Sequence, residues 1–358
     1  MHDRPVGATS RGAVMVDVAR LAGVSQKTVS RVVNGAAHVR PDVQERVRHA
    51  IAELDYRPNG AAQALARART HTIGVLALGT PLYGPSRRVL TLEHEARRLG
   101  WTLALASVAD LSAGEVRRGI DALLQRGVEG LVIEVPTHLI EVDPQVLVGL
   151  PVVTSAGLIP GLPLQAVVDT DQADVAAEVT AYLLDLGHRT VWHVGGPSDW
   201  DAAQKRLDGW RFALLERGCP VPPVQHGDWT AASGYRAGLA LASRPDVTAV
   251  FAANDSMAIG LLRAFHEAGR RIPADVSVVG YDDIPEAEFQ MVPLTTVSVD
   301  DEGPAQRILA ELLRMIEGGT APDAPITLDQ QHLVVRASTG RAPSARHPGP
   351  IDTTGTTA

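Results

Sequence analysis

The stretch DVARLAGVSQKTVSRVVNG, residues 17–35, decides how the N-terminal part of the chain is read. Val16, Val18, Ala19 and Ala22 place apolar side chains at helical spacing. Gly23 then ends the helix, because glycine takes the left-handed conformation that a helix C-terminus asks for. Ser25 stands where an N-cap belongs, its hydroxyl accepting from an orphan backbone N–H of a second helix. On that helix Val29, Val32 and Val33 turn inward, while Gln26, Lys27, Ser30, Arg31 and Asn34 turn outward. Helix, tight glycine turn, then a capped helix with long hydrogen-bonding side chains near its start is the plan of a helix-turn-helix. Such side chains reach base edges and phosphates in a major groove. A three-helix module with a solvated polar face would show the same pattern, so the neighbouring segments matter.

A third helix follows, with Pro41 in its first turn, Asp42 and Glu45 near its positive end, and Val43, Val47, Ile51 and Leu54 on one face. Pro58 is expected to end it. The next run, YRPNGAAQALARART (56–70), is Ala-rich and too short to be a stable helix alone. Its one large apolar residue, Leu65, has nothing local to pack on and suits a wedge between base steps of a minor groove.

Charge divides the chain the same way. Residues 1–71 carry 11 Arg and Lys against 6 Asp and Glu, on a chain whose net charge is −8. A basic N-terminal part on an acidic body suggests a nucleic-acid reader joined to something else. At 358 residues two or three domains are expected. The single cysteine, Cys219, excludes an internal disulfide framework. No Cys/His cluster has metal-ligand spacing, and no cofactor is expected. The first residues lack the apolar core of a signal peptide, and no run of about 18 apolar residues occurs, so the chain reads as cytoplasmic with no membrane partner.

From Thr72 onward short β-branched runs alternate with amphipathic helices: TIGVLAL (72–78), PSRRVLTLEHEARRLG (85–100), WTLALAS (101–107), GEVRRGIDALLQRG (114–127), GLVIE (130–134), and on through VSVVGYDD. The fold class is therefore α/β, with an all-α headpiece before doubly wound parallel sheets, in two lobes by length. Ligands of such sheets sit beyond the carboxyl ends of the strands. Polar residues collect there: Asn254 and Asp255 after FAA, Asp282 and Asp283 after VVGY, Trp229 in HGDW, and Arg206 on the helix after VGGPSDW. Arg, Asn, a carboxylate and Trp suit a neutral polyhydroxylated ligand, through directional bonds to hydroxyls and an indole over an apolar sugar face. Asn254 reads equally as a helix cap, Asp283 as a cap or backbone partner, and Trp210 as core.

DVARLAGVSQKTVSRVVNGAAHV together with IAELDYRPNGAAQALA resembles the headpiece and hinge of the lactose repressor family of bacterial transcription regulators, and the likeness continues to about residue 338. The resemblance implies a headpiece over 15–58 after a disordered 1–14, and a hinge over 59–71. It implies two lobes like those of periplasmic sugar-binding proteins, 72–170 with 300–328 and 171–299 with 329–340. It gives Gln26, Lys27 and Arg31 the main base-reading positions, with Ser25, Thr28, Ser30, Asn34, His38, Asn59 and Ala62 completing the DNA-contacting set and Leu65 intercalating. Arg206, Trp229, Asn254 and Asp282 match effector-contacting positions, with Leu78 on the opposite wall. Three departures stand out: Val14 where the family usually caps helix one with Thr, Leu78 for a small polar residue, and Ala156 for a pocket aspartate.

The implied function is a repressor of carbohydrate-utilisation genes, acting at the nucleoid on a pseudo-palindromic operator in double-stranded DNA and released by a sugar, first of all a β-galactoside. The alternative is a regulator answering to a nucleobase or nucleoside, or needing a co-repressor. An enzyme is not expected, because no nucleophile elbow, Walker loop or dinucleotide fingerprint is present. The tail RAPSARHPGPIDTTGTTA (341–358) has no apolar heptad and reads as disordered, so the expected assembly is a homodimer joined through the body.

Overall fold

A computed structural model describes residues 13–33, 39–56, 69–328 and 331–343, in two units, Met1–His71 and Thr72–Ala358. Residues 1–12, Asn34, His38, the hinge residues Asn59, Ala62 and Leu65, and the tail from 344 lie outside the described residues.

The first unit holds α1 (Met15–Ala22), α2 (Gln26–Val33) and α3 (Pro41–Glu53) around Val18, Val29, Val47, Ala50 and Tyr56. Gly23 takes φ 64° and ψ 40°. The Val24 N–H then reaches back to the Ala19 carbonyl at 3.0 Å, which closes α1. Ser25 caps α2 by accepting the Thr28 N–H at 3.2 Å. Val14 offers no side-chain cap, but its own N–H donates to Asp17 Oδ2 at 3.1 Å. Two expectations change here. Val16 is 39% exposed and does not join the inner face. The third helix ends before Pro58: Asp55 turns left-handed at φ 42° and the Tyr56 N–H bonds the Ile51 carbonyl at 3.0 Å, so Leu54 is its cap.

In the second unit β1 (Thr72–Leu78), β2 (Thr102–Val108), β3 (Gly130–Glu134), β4 (Val152–Thr154), β5 (Gln165–Thr170) and β11 (Ile326–Leu328) form one parallel sheet in the order β11-β5-β4-β3-β1-β2. The pleat sends alternate side chains to opposite faces. Ile73, Val75 and Val132 meet α4 (Tyr83–Arg98) and α10 (Glu302–Ile316). Leu76, Leu131 and Ile133 meet α5 (Ala113–Gln125).

The second lobe repeats the plan with β6 (Trp192–Gly195), β7 (Gln225–His226), β8 (Ala249–Ala252) and β9 (Ser277–Val279), parallel in the order β7-β6-β8-β9. Phe251 and Val279 face α6 (Gln172–Asp185) and α7 (Asp201–Glu216), while Val250 and Ala252 face α8 (Ala231–Ala242) and α9 (Asp255–Glu267). VSVVGYDD is not one strand: β9 stops at Val279, and Asp282 and Asp283 take φ 108° and 51°. Beside these two parallel sheets, β10 (Thr296–Val299) and β12 (Gln331–Val334) form a separate two-stranded antiparallel sheet. The chain leaves the six-stranded sheet after Thr170, comes back to it through α10 after β10, and departs again after β11.

Candidate functional site

The first unit presents Ser25, Gln26, Lys27 and Arg31 to solvent along α2, with Thr28 and Ser30 half-buried and Val29 fully buried beneath them. Gln26 and Lys27 open the helix, and neither side chain is needed by the core. A helix whose first turn offers amide, ammonium and hydroxyl groups over a fixed inner valine can enter a major groove with its N-terminus leading.

In the second unit a cleft lies between the lobes, bounded by the carboxyl ends of β3, β5 and β8 and the starts of α4 and α7. It is built around Arg206, in the second turn of α7 and only 7% exposed. Its Nε donates to Gln172 Oε1 at 3.0 Å and its Nη1 to the Ala253 carbonyl. Nη2 stands 3.6 Å from Asp282 Oδ1. The guanidinium lies 3.5 Å from the Tyr281 ring centre and 5.7 Å from that of Trp229. Burial pushes the Asp282 carboxyl up to about 6, against the pull of Arg206.

Trp229 is placed by backbone and neighbour together. It takes φ 71°, and a Cβ at Gly196 would come within 2.4 Å of its ring, so the indole lies flat on that glycine. Asn254 caps α9, accepting the Met257 N–H at 2.9 Å, and its amide donates to the Trp229 carbonyl at 3.0 Å. The cap role and the cleft role therefore coincide in one side chain. The indole Nε1 of Trp229 is buried and has no hydrogen-bond partner.

From the other lobe Glu134 closes β3 with its side chain buried, 3.4 Å from Arg88 Nη1 through Oε2. Its Oε1 makes no hydrogen bond of good geometry, and burial pushes its carboxyl up although Arg88 and the neighbouring Ser155 hydroxyl oppose this. Asp301 pairs with Arg87 at 2.7 Å. Contacts that join the lobes across the cleft include Lys205 of α7 with Asp169 of β5, a His138 ring nitrogen 3.2 Å from the Asp199 carbonyl, and Leu82 and Tyr83 packed against the core of the second lobe. Among the described residues no group of His, Cys, Asp and Glu could hold a metal.

Residues 14–59 match the family model described as bacterial regulatory proteins, lacI family, and residues 180–339 match a periplasmic binding protein-like domain. The lactose operon repressor of Escherichia coli (strain K12) is 34% identical over 313 residues, 85% of each chain. The HTH-type transcriptional regulator CelR of Thermobifida fusca is 37% identical over 335 residues, 90% of this chain and 96% of that one. The chain belongs to the lacI family of bacterial regulatory proteins. Among solved structures, a lac repressor dimer bound to operator and the anti-inducer ONPF superposes with a TM-score of 0.78 at 31% identity, covering 92% of this chain and all of that one. A CelR–cellobiose complex superposes at 0.64 with 34% identity, covering 91% and 99%.

Within this lacI-family body, Arg206, Trp229, Asn254 and Asp282 come together on the cleft wall, with Ala156 among the residues facing them. Leu78 does not line the cleft: it packs with Val108 and Ile133 on the α5 side of the sheet. Asp283 bonds neither a helix end nor backbone but Arg336, at 2.8 Å. Trp210 is core, donating its indole N–H to the Val191 carbonyl at 2.8 Å. Glu134, Arg88, Tyr83, Trp200 and Tyr281 line the cleft and escaped the sequence reading. Glu134 had a signal, a lone carboxylate ending the apolar run GLVIE at a carboxyl strand end. Arg88 had none, since its neighbour Arg87 reads identically.

Proposed function

We propose that this lacI-family protein is a homodimeric repressor that grips a pseudo-palindromic operator and lets go when a sugar fills the cleft of its body. Division of labour follows the chain: residues 15–58 read DNA, 59–71 form the hinge, and the two lobes hold the effector between them. Gln26, Lys27 and Arg31 read bases, the rest of the α2 set with His38, Asn59 and Ala62 fixes register, and Leu65 wedges the central step. Arg206, Trp229, Asn254 and Asp282 hold the sugar. The protein works in the cytoplasm, at the nucleoid.

The observation that carries the sugar reading is the pair of buried atoms that lack a hydrogen bond of good geometry, Glu134 Oε1 and Trp229 Nε1, on opposite lobes of one cleft. Leaving such atoms without a partner costs about 1–3 kcal/mol each. A ligand with hydroxyls satisfies both, donating to the carboxylate and accepting from the indole. The charged groups beside them already hold partners, Arg88 with Glu134, Arg206 with Asp282 and Lys205 with Asp169 and Asp201. A phosphate or carboxylate ligand would find no spare cation there, whereas a neutral sugar needs none. Relatives repress a lactose operon and a ribose operon, and one has been solved with cellobiose.

The test is to select operator DNA from a random pool with the full chain, then measure release by a panel of sugars and nucleobases. Sugar-driven release with no nucleobase effect is the expected result. Release by nucleobases alone, or tighter DNA binding with sugar, overturns it.

A further inference from the structure

We propose that the cleft is built for two rings, and that Trp200 is the residue that selects a disaccharide over a single sugar. This rests on the sugar reading proposed above. Trp200 is the N-cap residue of α7, yet its side chain makes no capping bond, so helix initiation does not explain an indole there. It stands edge-on to Trp229, ring centres 5.7 Å apart and planes at 65°. Two indoles inclined at 65° make a corner, not a stack. Trp200 remains half-buried and lines the cleft, together with Leu82 and Tyr83 from the other lobe.

Position along α7 separates the two ends of the site. Trp200 precedes α7 and Arg206 sits in its second turn, and Trp229 lies between them, 5.7 Å from the Trp200 ring and 5.7 Å from the Arg206 guanidinium. The polar end, with Arg206, Asp282 and Glu134, takes the hydroxyls of one ring, and Trp229 covers its apolar face. Trp200 packs with Leu82 and Tyr83 against the core of the second lobe, and the part of its indole that stays open to the cleft lies beyond that ring. A second ring continuing toward the start of α7 lays its C–H face on Trp200 and against Leu82 and Tyr83, removing apolar surface from water. Because Leu82 and Tyr83 belong to the opposite lobe, the second ring also touches both lobes, as a ligand must if it is to favour one lobe arrangement over another.

The experiment is calorimetric titration of the full-length protein with cellobiose, lactose, maltose and melibiose, each against the methyl glycosides of glucose and galactose. At least one disaccharide is expected to bind tenfold or more tightly than its methyl glycoside. That preference falls to threefold or less in Trp200→Ala and is kept in Trp200→Phe, which retains an aromatic face. Thermal melting of each variant checks that it folds. A wild type that binds methyl glycosides as tightly as disaccharides, or a Trp200→Ala protein that keeps the preference, overturns the two-ring cleft and leaves the sugar reading standing. No binding by any sugar of the panel removes the sugar reading, and this inference with it.

Discussion

The guanidinium carbon of Arg206 lies over Tyr281, 3.5 Å from the ring centre, while its Nη2 faces Asp282 at 3.6 Å. A planar cation is thus held against an aromatic ring and committed to a carboxylate at its edge. A lysine ammonium cannot reproduce that arrangement. In a repressor that answers to sugar, Arg206→Ala is expected to bind operator as wild type does and to need at least tenfold more sugar for release, about 1.4 kcal/mol. Arg206→Lys is not expected to restore the response. Gel-shift titrations with and without sugar decide this, and a variant released at the wild-type concentration would remove Arg206 from the site.

The same pair makes the response depend on pH. Burial pushes the Asp282 carboxyl up to about 6. As pH falls through that value the carboxylate takes a proton, and its pairing with Arg206 weakens. Sugar affinity is therefore expected to fall severalfold between pH 7.5 and 5, with Asp282→Asn weaker throughout and flatter. Isothermal titration at the two pH values tests it; a wild-type affinity independent of pH contradicts the ionised form as the sugar-binding one.

The headpiece separates fold from reading within one turn. Ser25 accepts the Thr28 N–H, so Ser25→Ala costs about 0.5–2 kcal/mol of headpiece stability. Gln26 and Lys27 are exposed beside it. Gln26→Ala is expected to leave stability unchanged and to cost about 1–3 kcal/mol of discrimination at one base pair. Melting curves and binding to single-base operator variants separate the two effects.

That turn was legible because its chemistry is local: Gly23 and Ser25 act on residues within five positions of themselves. The lobes were legible for the same reason, as period-2 apolar runs alternate with helical ones. The cleft was legible only where a polar residue follows an apolar strand, as Asn254 and Asp282 do. Arg336, partner of Asp283, lies 53 residues away, and nothing near either residue announces it. Leu78 misled because the residue at a strand end faces one of two sides, and its pleat position sends it to the α5 side, with Leu76.

Helix packing in the second lobe depends on glycines that no period revealed. A Cβ on Gly260 would fall 2.1 Å from the Ala231 carbonyl oxygen, and one on Gly234 2.1 Å from that of Met257. Both obstacles are backbone, so α8 and α9 must separate for either to fit. Gly260→Ala is expected to destabilise the body by about 1–3 kcal/mol despite alanine's better helix propensity. Urea unfolding measures it, and an unchanged or raised midpoint would show that the two helices part freely.

His193 makes the second lobe less stable in acid. Its ring is fully buried between Trp210 and Phe251, with centroids at 5.3 and 5.0 Å. Nδ1 lies 2.9 Å from the Phe251 carbonyl oxygen, so it carries the proton and donates, and Nε2 is left bare with no partner. Burial pushes this imidazole down to about 3, whereas in the unfolded chain it titrates near 6.5. Between those values the unfolded state holds the extra proton, so stability from neutral His193 is complete above about 6.5 and is lost as pH falls, by up to about 1.4 kcal/mol per unit. Asp255 works in the opposite sense, because burial pushes its carboxyl up to about 8. The informative quantity is therefore the difference between His193→Leu and wild type, in which Asp255 cancels. At pH 7.5 the variant is expected to be the less stable, having lost the bond to Phe251. By pH 5 the gap shifts in its favour by roughly 2 kcal/mol. Urea midpoints at the two pH values give that shift directly, and a gap that stays constant would mean that His193 does not titrate far below its unfolded value.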